Sequence, residues 1–266
     1  WKVKFGPPPF QGGVRGWLSS MLKLQNLTKS FGGVKAVDHV SFQVPKNTIT
    51  ALVGPNGAGK TTVFHLVSGL MEADTGSVLF ESHELTRLSA WRRARLGISR
   101  TFQLARLFKN LTVEENLLLA LRCDDDRVVR MFLRRASQDT REKNLVREMM
   151  AFVGLDKDPA TLVTDLSYGQ QKLFDLARAL LNPHTFLMLD EPVAGVNPIL
   201  REQFKGLLKS LRDNGETILL IEHDMDFVRA VADHVIVMDQ GIVLAQGAPE
   251  EVFKNTVVLD AYLGNL

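Results

Sequence analysis

The sequence predicts an α/β protein built on a mixed, largely parallel sheet, with an antiparallel β layer and an inserted helical segment. Three observations carry this prediction. Short apolar runs typical of buried parallel strands lie at Ile49–Val53, Phe186–Leu189 and Thr217–Ile221, and they alternate with helical patterns. Apolar and polar residues alternate before the first run, as in a half-buried antiparallel layer. Residues 100–181 contain few strand signals and indicate helices.

Composition excludes several classes of protein. The 266 residues are 45% hydrophobic and 23% charged, which rules out intrinsic disorder and fibrous architectures. The 32 basic and 30 acidic residues give a net charge of +2, too balanced for a general nucleic-acid surface. A single cysteine, Cys123, excludes an internal disulfide, and no apolar run approaches the ~20 residues of a membrane-spanning helix. We therefore expect a soluble, cytoplasmic protein that reaches any membrane through a partner.

The chain is expected to form one domain after a short leader. Glycines and prolines break every period in residues 1–20, which we expect to be a disordered leader or a segment foreign to the native chain, with Met21 as the natural start. Residues 21–266 are then the folded unit. Its core is expected at 21–99 and 182–245, with a helical subdomain at about 100–181 and a C-terminal tail at 246–266.

The elements follow from local periodicity. A half-buried strand begins at Leu22, and Thr75-Gly76 is interpreted as a turn before a further strand of the antiparallel layer. Gln240-Gly241 predicts the turn of a closing hairpin, and Asn214-Gly215 predicts the end of a helix. The other expected strands are Val40–Val44, Ser77–Phe80, Val235–Met238 and Ile242–Ala245, and the helices are Thr61–Ser68, Val113–Leu121, Glu142–Val153, one through Phe204 and Leu211, and one through Phe227 and Val231.

A phosphate-binding loop follows the strand Ile49–Val53. The segment Gly54–Thr61 matches G-x-x-x-x-G-K followed by S or T, between a strand and a helix as this pattern requires. Its backbone N–H groups would face phosphate oxygens, Lys60 would neutralise the β/γ-phosphates, and the Thr61 hydroxyl would bind Mg²⁺. A chance glycine-rich turn is the alternative, expected in about one chain of this length in a hundred. We assign to the nucleotide Gly54, Pro55, Asn56, Gly57, Ala58, Gly59, Lys60, Thr61 and Thr62. The sequence thus predicts a P-loop NTPase core.

Charged side chains end two of the apolar strands. Asp190 and Glu191 follow Phe186–Leu189, where Asp190 would hold the metal's water shell and Glu191 would deprotonate the attacking water. Acidic turn residues before Pro192 are the alternative. His223 follows the next strand and would contact the γ-phosphate or position the water. The other histidines have no such placement and are interpreted as structural or exposed: His39, His65, His83, His184 and His234.

The segment Leu166–Gln170 precedes a strongly amphipathic helix. Ser167 and Gln170 have the spacing of a capping box, so the segment predicts a capped helix start. On the residues alone, a cap with no further role and a functional loop remain equally open.

The ordered set of motifs resembles that of the ATP-binding cassette (ABC) ATPases over Leu22 to Leu266, and this resemblance implies the ABC ATPase fold. By resemblance, Phe31 stacks on adenine, and Gln103 contacts Mg²⁺ and water. The residues Ser167, Gly169 and Gln170 would bind the γ-phosphate held by a second subunit, in keeping with the helix N-terminus that follows them. Two residues depart from the family pattern, Tyr168 where glycine is usual and Asn197 where aspartate is usual.

Within that family, three features resemble the ATPase subunits of branched-chain amino-acid importers, to which those of urea importers are similar: Arg100–Gln103, the Tyr168 variant and the ending Ala261–Gly264. The resemblance implies an ATP-hydrolysing subunit that powers solute uptake. Its partners would be a second ABC ATPase subunit, integral membrane permeases and, indirectly, a solute-binding protein, with no nucleic acid. The protein would lie on the inner face of the cell membrane, docked through Leu104–Asn116.

The sequence disfavours two alternative functions. A non-transport ATPase of DNA repair or translation would contain long heptad coiled coils or two cassettes, and this sequence has neither pattern. A nucleotide-gated module without turnover would need neither Glu191 nor His223.

Overall fold

The computed structural model describes residues 20–101, 108–121 and 136–263, without the side chains of 136–139 and 262–263. Several predictions therefore fall outside the described residues. They concern the leader at 1–19, Gln103, the first residues of the expected docking stretch (104–107) and the charged stretch after Cys123. Within the described ranges, no helix combines the length and apolar character that crossing a membrane requires.

The antiparallel layer predicted near the start of the chain is present. In the residues described, its strands lie in the order β2-β1-β4-β5. Val40, Phe42 and Val44 of β2 are buried, whereas the side chains between them face solvent, as the alternating pattern predicts. The strands are β1 (Ser20–Phe31), β2 (Val34–Pro45), β4 (Thr75–Phe80) and β5 (His83–Glu84).

The interpretation of Thr75-Gly76 as a turn is wrong, because both residues lie inside β4. Thr75 pairs with Thr28 of β1 across an irregularity in the register. Gly76 has φ +88°, and a Cβ there would lie 2.4 Å from the Asn26 carbonyl oxygen. The glycine therefore accommodates a bulged strand rather than a reversal of the chain.

A second, mixed sheet forms the centre of the molecule. Its order among the described strands is β10-β9-β3-β8-β7-β6, in which only β10 runs antiparallel to its neighbour. The edge strand β6 was not predicted, and it includes Arg100, the first residue assigned to the helical segment. The strands are β3 (Ile49–Val53), β6 (Ile98–Arg100), β7 (Phe186–Asp190), β8 (Thr217–Ile221), β9 (His234–Asp239) and β10 (Ile242–Gly247).

The predicted helices are present, with bounds that differ by a few residues. The helix expected at Glu142–Val153 begins earlier, at Ala136, and three short helices were not predicted, α2, α8 and α9. The described helices are α1 (Lys60–Ser68), α2 (Ala90–Arg95), α3 (Val113–Leu121), α4 (Ala136–Val153), α5 (Tyr168–Leu181), α6 (Pro198–Asp213), α7 (Met225–Val231), α8 (Pro249–Val252) and α9 (Thr256–Leu263).

The mixed sheet separates two hydrophobic layers. Phe186 and Met188 of β7 pack with the antiparallel layer and α1, whereas Leu187 and Leu189 pack with the helices on the other face. Burial on both faces explains the uninterrupted apolar runs of β3, β7 and β8. Because these strands are parallel, their carboxyl ends meet at one edge of the sheet, and the residues that follow them come together there.

Candidate functional site

The loop Gly54–Gly59 connects β3 to α1 at this edge, and two of its glycines are pressed against neighbouring backbone. Gly54 has φ +150°, and a Cβ on it would lie 2.0 Å from the Met238 carbonyl oxygen. Gly59 has φ +97°, and a Cβ on it would lie 2.2 Å from the Ala36 carbonyl oxygen. No other residue type fits either position, so the curled path of the loop depends on both glycines.

Lys60 begins α1 and is 5% exposed. Its Nζ donates hydrogen bonds of 2.8 Å to the carbonyl oxygens of Gly54 and Pro55, inside the curl of the loop. Burial lowers the pKa of Lys60, and the negative charges of Glu191 and Asp190 partly offset that effect. The ammonium group therefore lies beside the first N–H groups of α1, which have no acceptor within the helix and favour a bound anion.

Asp190 ends β7 with one carboxylate oxygen paired and one unpaired. Its Oδ2 accepts a hydrogen bond of 3.0 Å from the Arg100 guanidinium, and its backbone N–H donates to Thr101 Oγ1. Burial raises the pKa of Asp190, and Arg100 partly offsets this. Its buried Oδ1 has no hydrogen-bond partner among the residues described. A buried carboxylate oxygen without a hydrogen-bond donor is suited to bind a cation, because burial without a partner is costly.

The oxygens present fit Mg²⁺ held in part by a nucleotide. Magnesium in such sites takes one or two protein oxygens and completes its shell with water and phosphate. Asp190 supplies a buried carboxylate oxygen, and Thr61 supplies an exposed hydroxyl in the first turn of α1. No group of three or more His, Cys, Asp or Glu side chains that could hold a metal occurs in the described parts of the chain. The donor set thus suits a metal that shares its ligands with phosphate.

Glu191 and His223 form a pair at the ends of β7 and β8. The His223 Nε2 lies 2.8 Å from Glu191 Oε1, and the two side chains are 40% and 24% exposed. Since a carboxylate only accepts, Nε2 carries the proton in this contact. Glu191 has φ +48°, and its N–H donates to the Ile221 carbonyl of β8. A carboxylate oriented by an imidazole, and open to solvent, is suited to take a proton from water.

Glu222 is a site residue that sequence analysis did not assign. It is 2% exposed, and its carboxylate accepts hydrogen bonds from the backbone N–H groups of Val193 and His223. Burial raises the pKa of Glu222, and these backbone donors partly offset that effect. The side chain therefore ties the loop after β7 to the loop after β8. The only sequence signal for Glu222 is that an acidic residue directly follows an apolar strand.

The start of α5 has the predicted capping box. Gln170 N–H donates to Ser167 Oγ, and Ser167 N–H donates to the Gln170 side chain. Tyr168 is 54% exposed, and its hydroxyl donates to the Ala194 carbonyl oxygen. Within the described residues, no hydrogen bond or ion pair joins Ser167, Gly169 or Gln170 to the phosphate loop. Among the described residues, these three thus have no direct bond to the phosphate loop of the same chain.

Phe31 ends β1 with its ring 47% exposed and the Lys29 Nζ 5.8 Å from its centroid. The β1–β2 hairpin that carries it contacts the phosphate loop where Ala36 meets Gly59. Asn197, the other departure from the family pattern, caps α6, since its side chain accepts from the Leu200 N–H at 2.8 Å. An aspartate would cap the helix in the same way, so the substitution keeps the local structure.

Comparison with known proteins identifies the family. The family model described as ABC transporter matches residues 37–194. The chain belongs to the ABC transporter family. Among ABC transporter proteins, it is 38% identical to a probable branched-chain amino acid transport ATP-binding protein of Archaeoglobus fulgidus, over 92% of this chain and 95% of the relative. A high-affinity branched-chain amino acid transport ATP-binding protein of Pseudomonas aeruginosa is also 38% identical, over 92% and 98%.

Solved ABC transporter structures share the fold. A nucleotide-free ATP-binding cassette matches with a TM-score of 0.80 and 32% identity, covering 91% of this chain and 98% of that one. A cassette in its ADP conformation matches equally well, with 92% and 99% covered. The predicted fold class and the family resemblance are therefore confirmed.

Proposed function

We propose that this protein is the ATP-binding and ATP-hydrolysing subunit of an importer. The observation that carries the proposal is the meeting, at one sheet edge, of the phosphate loop and Lys60 with Asp190 and the Glu191–His223 pair. An anion cradle, a cation-binding oxygen and a base near water are the parts that phosphoryl transfer to water needs.

Nucleotide binding is assigned as follows. The adenine stacks on the exposed ring of Phe31, and the phosphates lie on the backbone of Gly54–Thr62, with Lys60 beside them. Asp190, Thr61 and Gln103 would hold Mg²⁺, which when bound neutralises developing charge on the phosphate oxygens.

Hydrolysis is assigned to Glu191 as general base. Its carboxylate takes a proton from a water molecule, the water oxygen bonds to the γ-phosphorus, and the bond to the leaving ADP oxygen breaks. His223 orients the carboxylate through the 2.8 Å contact and stabilises its charge until the proton arrives. Lys60 would neutralise the charge that develops on the β/γ-phosphates.

A second subunit supplies the remaining contacts. Ser167, Gly169 and Gln170 are exposed or half-buried at the N-terminus of α5, and no described bond joins them to the phosphate loop of their own chain. Helix N-termini favour phosphate, so these residues suit the γ-phosphate on a partner. The dimer is formed by two copies or by two related subunits.

Transport is the favoured role because the relatives are named for it. The solute is a branched-chain amino acid or a related small polar solute, moved by integral membrane permeases and delivered by a solute-binding protein. The protein then works on the cytoplasmic face of the membrane. A role in DNA repair or translation is disfavoured, since 38% identity over 92% of the chain links it to transport proteins.

Two variants test the proposal. Lys60→Ala removes the cation beside the phosphates, so affinity for Mg-ATP should fall at least about tenfold in calorimetry. Glu191→Gln keeps the shape but loses the base, so turnover should fall by about 10²–10⁴ while ATP still binds.

Glu148→Gln is the matched control, because Glu148 is exposed on α4. This variant should behave as the wild type in both measurements. Unchanged Mg-ATP affinity in Lys60→Ala would refute the phosphate-loop assignment. Near-normal turnover in Glu191→Gln would move the base to another residue, with His223 the next candidate.

A further inference from the structure

Lys172, one turn into α5, contacts the backbone of the proposed base. Its Nζ donates a hydrogen bond of 2.7 Å to the Glu191 carbonyl oxygen. The same ammonium lies 5.7 Å from the ring centroid of Tyr168. Lys172 therefore bridges the first turn of α5 and the residue that follows β7, although 19 positions separate Lys172 from Glu191 in sequence.

The backbone of Glu191 needs such support. Its φ of +48° is uncommon for a residue with a Cβ and persists only where the surroundings hold it. On one side the Glu191 N–H donates to the Ile221 carbonyl, and on the other its carbonyl accepts from Lys172. The direction of the carboxylate toward His223 depends on this backbone conformation.

Tyr168 contacts the far end of the same loop. Its hydroxyl donates to the Ala194 carbonyl oxygen at 3.1 Å, and its ring lies against Gly195, where an added Cβ would be 3.2 Å away. Gly195 has φ +70°. Tyr168 and Lys172 together thus contact the loop Glu191–Gly195 at both ends, from a single turn of α5.

We propose that Lys172 and Tyr168 are positioning residues, which hold Glu191 in its active geometry and make that geometry depend on the first turn of α5. This proposal rests on the proposed function, in which Ser167 and Gly169 of that turn contact the partner's γ-phosphate. Occupancy of the partner's site is then transmitted through Tyr168 and Lys172 to the base in this chain's own site. Each chain carries the same link, so each site turns over faster when the other site is occupied.

The test compares Lys172→Met with Lys172→Arg. Methionine keeps the length of the side chain without its charge or donor, so kcat should fall about tenfold or more, as losing one charge-assisted hydrogen bond at a catalytic group does. KM for ATP should change less than about twofold, since the described hydrogen bond and ring contact of Lys172 involve Glu191 and Tyr168, neither of which is assigned to nucleotide binding. Arginine restores the donor and should recover most of kcat. Tyr168→Phe, which loses only the hydroxyl, should lower kcat by a smaller factor.

Cooperativity is the second measurement. If the wild-type ATPase rate depends on ATP concentration with a Hill coefficient above one, Lys172→Met should lower that coefficient to one. Lys209→Met is the matched control, because Lys209 is exposed on α6, and it should leave kcat and cooperativity unchanged. Thermal unfolding of each variant identifies any that fail to fold. If Lys172→Met does not fold, Tyr168→Phe and Lys172→Arg are compared with the wild type instead.

The outcomes separate this proposal from the one it rests on. If wild-type protein hydrolyses ATP and Glu191→Gln does not, but folded Lys172→Met matches the wild type in kcat and cooperativity, the positioning role is wrong and the proposed function stands. Equal losses in the Met and Arg variants also contradict it, since only packing would then matter. A wild-type protein without ATPase activity would instead contradict the proposed function.

Discussion

Buried carboxylates around the site differ in what offsets the cost of their burial. Asp190 has the Arg100 guanidinium at 3.0 Å, and Glu222 has backbone N–H donors. Asp175 of α5 lies 3.5 Å from the Arg178 guanidinium and also feels the charge of Lys172, but its buried Oδ1 makes no hydrogen bond with the residues described. Asp175 is therefore the least compensated of the three, and burial raises its pKa to about 6, with Arg178 partly offsetting the effect.

The raised pKa of Asp175 predicts a pH dependence of stability. Its folded-state pKa of about 6 exceeds the ordinary aspartate pKa of 3.8, so the folded protein holds this proton more tightly than the unfolded chain. The free energy of unfolding should therefore fall as pH rises from about 4 to about 6 and stay low above that. Asp175→Asn should remove this dependence and be more stable than the wild type at pH 7.5, by on the order of 1–3 kcal/mol.

Denaturant unfolding of both proteins between pH 4 and pH 8 checks this prediction. Asp156→Asn, at an exposed loop position, is the control and should track the wild type. Parallel stability curves for wild type and Asp175→Asn would show that the Asp175 carboxyl is not the group responsible.

The sequence predicts those candidate site residues whose place in the fold is set by the end of a strand. Asp190, Glu191 and His223 directly follow apolar runs, and parallel strands bring such ends together whatever the rest of the chain does. Lys172 gave no signal, because its position on an amphipathic helix is equally typical of a solvated lysine. Its contact with Glu191 depends on how α5 packs against the loop after β7, which no local pattern encodes.

At the scale of elements, the shortest ones escaped prediction. Strand β6 has three residues and is identified only by its pairing with β7, as Thr101 N–H donates to the Met188 carbonyl. Helix α2 has six residues without an apolar period, and a buried arginine holds it in place. Arg93, 2% exposed, donates to the carbonyls of Leu66 and Val67 at the end of α1. Contacts of this kind are tertiary, so local propensity does not predict them.

Helices α2 and α3 border a cavity of about 510 Å³ beside the predicted docking stretch. Exposed apolar side chains line it, with Phe108 60%, Trp91 55% and Leu70 51% exposed. Large apolar groups left in water on one face are typical of interaction sites. The interpretation of Phe108 as a docking residue is consistent with this exposure, and Trp91 extends the surface onto α2.

The double variant Trp91→Ala and Phe108→Ala should lose its membrane partner. Both rings are exposed, so their removal should lower the free energy of unfolding by less than about 1 kcal/mol and leave basal ATPase nearly intact. Loss of two aromatic anchors should abolish co-purification with the co-expressed permease subunits. Phe152→Ala, an exposed phenylalanine on α4, is the control and should still co-purify. Retained co-purification by the double variant would place the docking surface elsewhere.

Under the proposed function, the whole molecule contributes one half to each of two composite sites. The phosphate loop, Asp190 and Glu191 face one edge of the mixed sheet, whereas Ser167 and Gly169 open the exposed turn of α5. Ile199, 82% exposed, lies at the start of α6 beside this turn, where Gly169 approaches Leu200. An apolar side chain left in solvent next to the exposed first turn of a helix suits contact with a second chain.

Mixing two inactive variants tests whether the site is shared. Lys60→Ala disables the phosphate loop, and Ser167→Arg disables the turn of α5, so either homodimer contains two broken composite sites. In a mixed dimer, one site combines both damaged halves and the other combines both intact ones. Some activity should therefore return, because each mixed dimer has one intact site of two. The upper limit is about a quarter of wild-type activity in an equal mixture and about a half in isolated mixed dimers, since the intact site lacks the acceleration from its neighbour. Differently tagged chains, isolated as mixed dimers, provide the measurement.

No recovery in isolated mixed dimers would mean that each chain carries a complete site, or that a single intact site cannot hydrolyse ATP alone. A wild-type chain crosslinked to a Lys60→Ala chain distinguishes these two explanations, because this dimer also has one intact loop facing an intact turn. If the crosslinked dimer is active while the dimer of the two variants is inactive, the whole site lies within one chain.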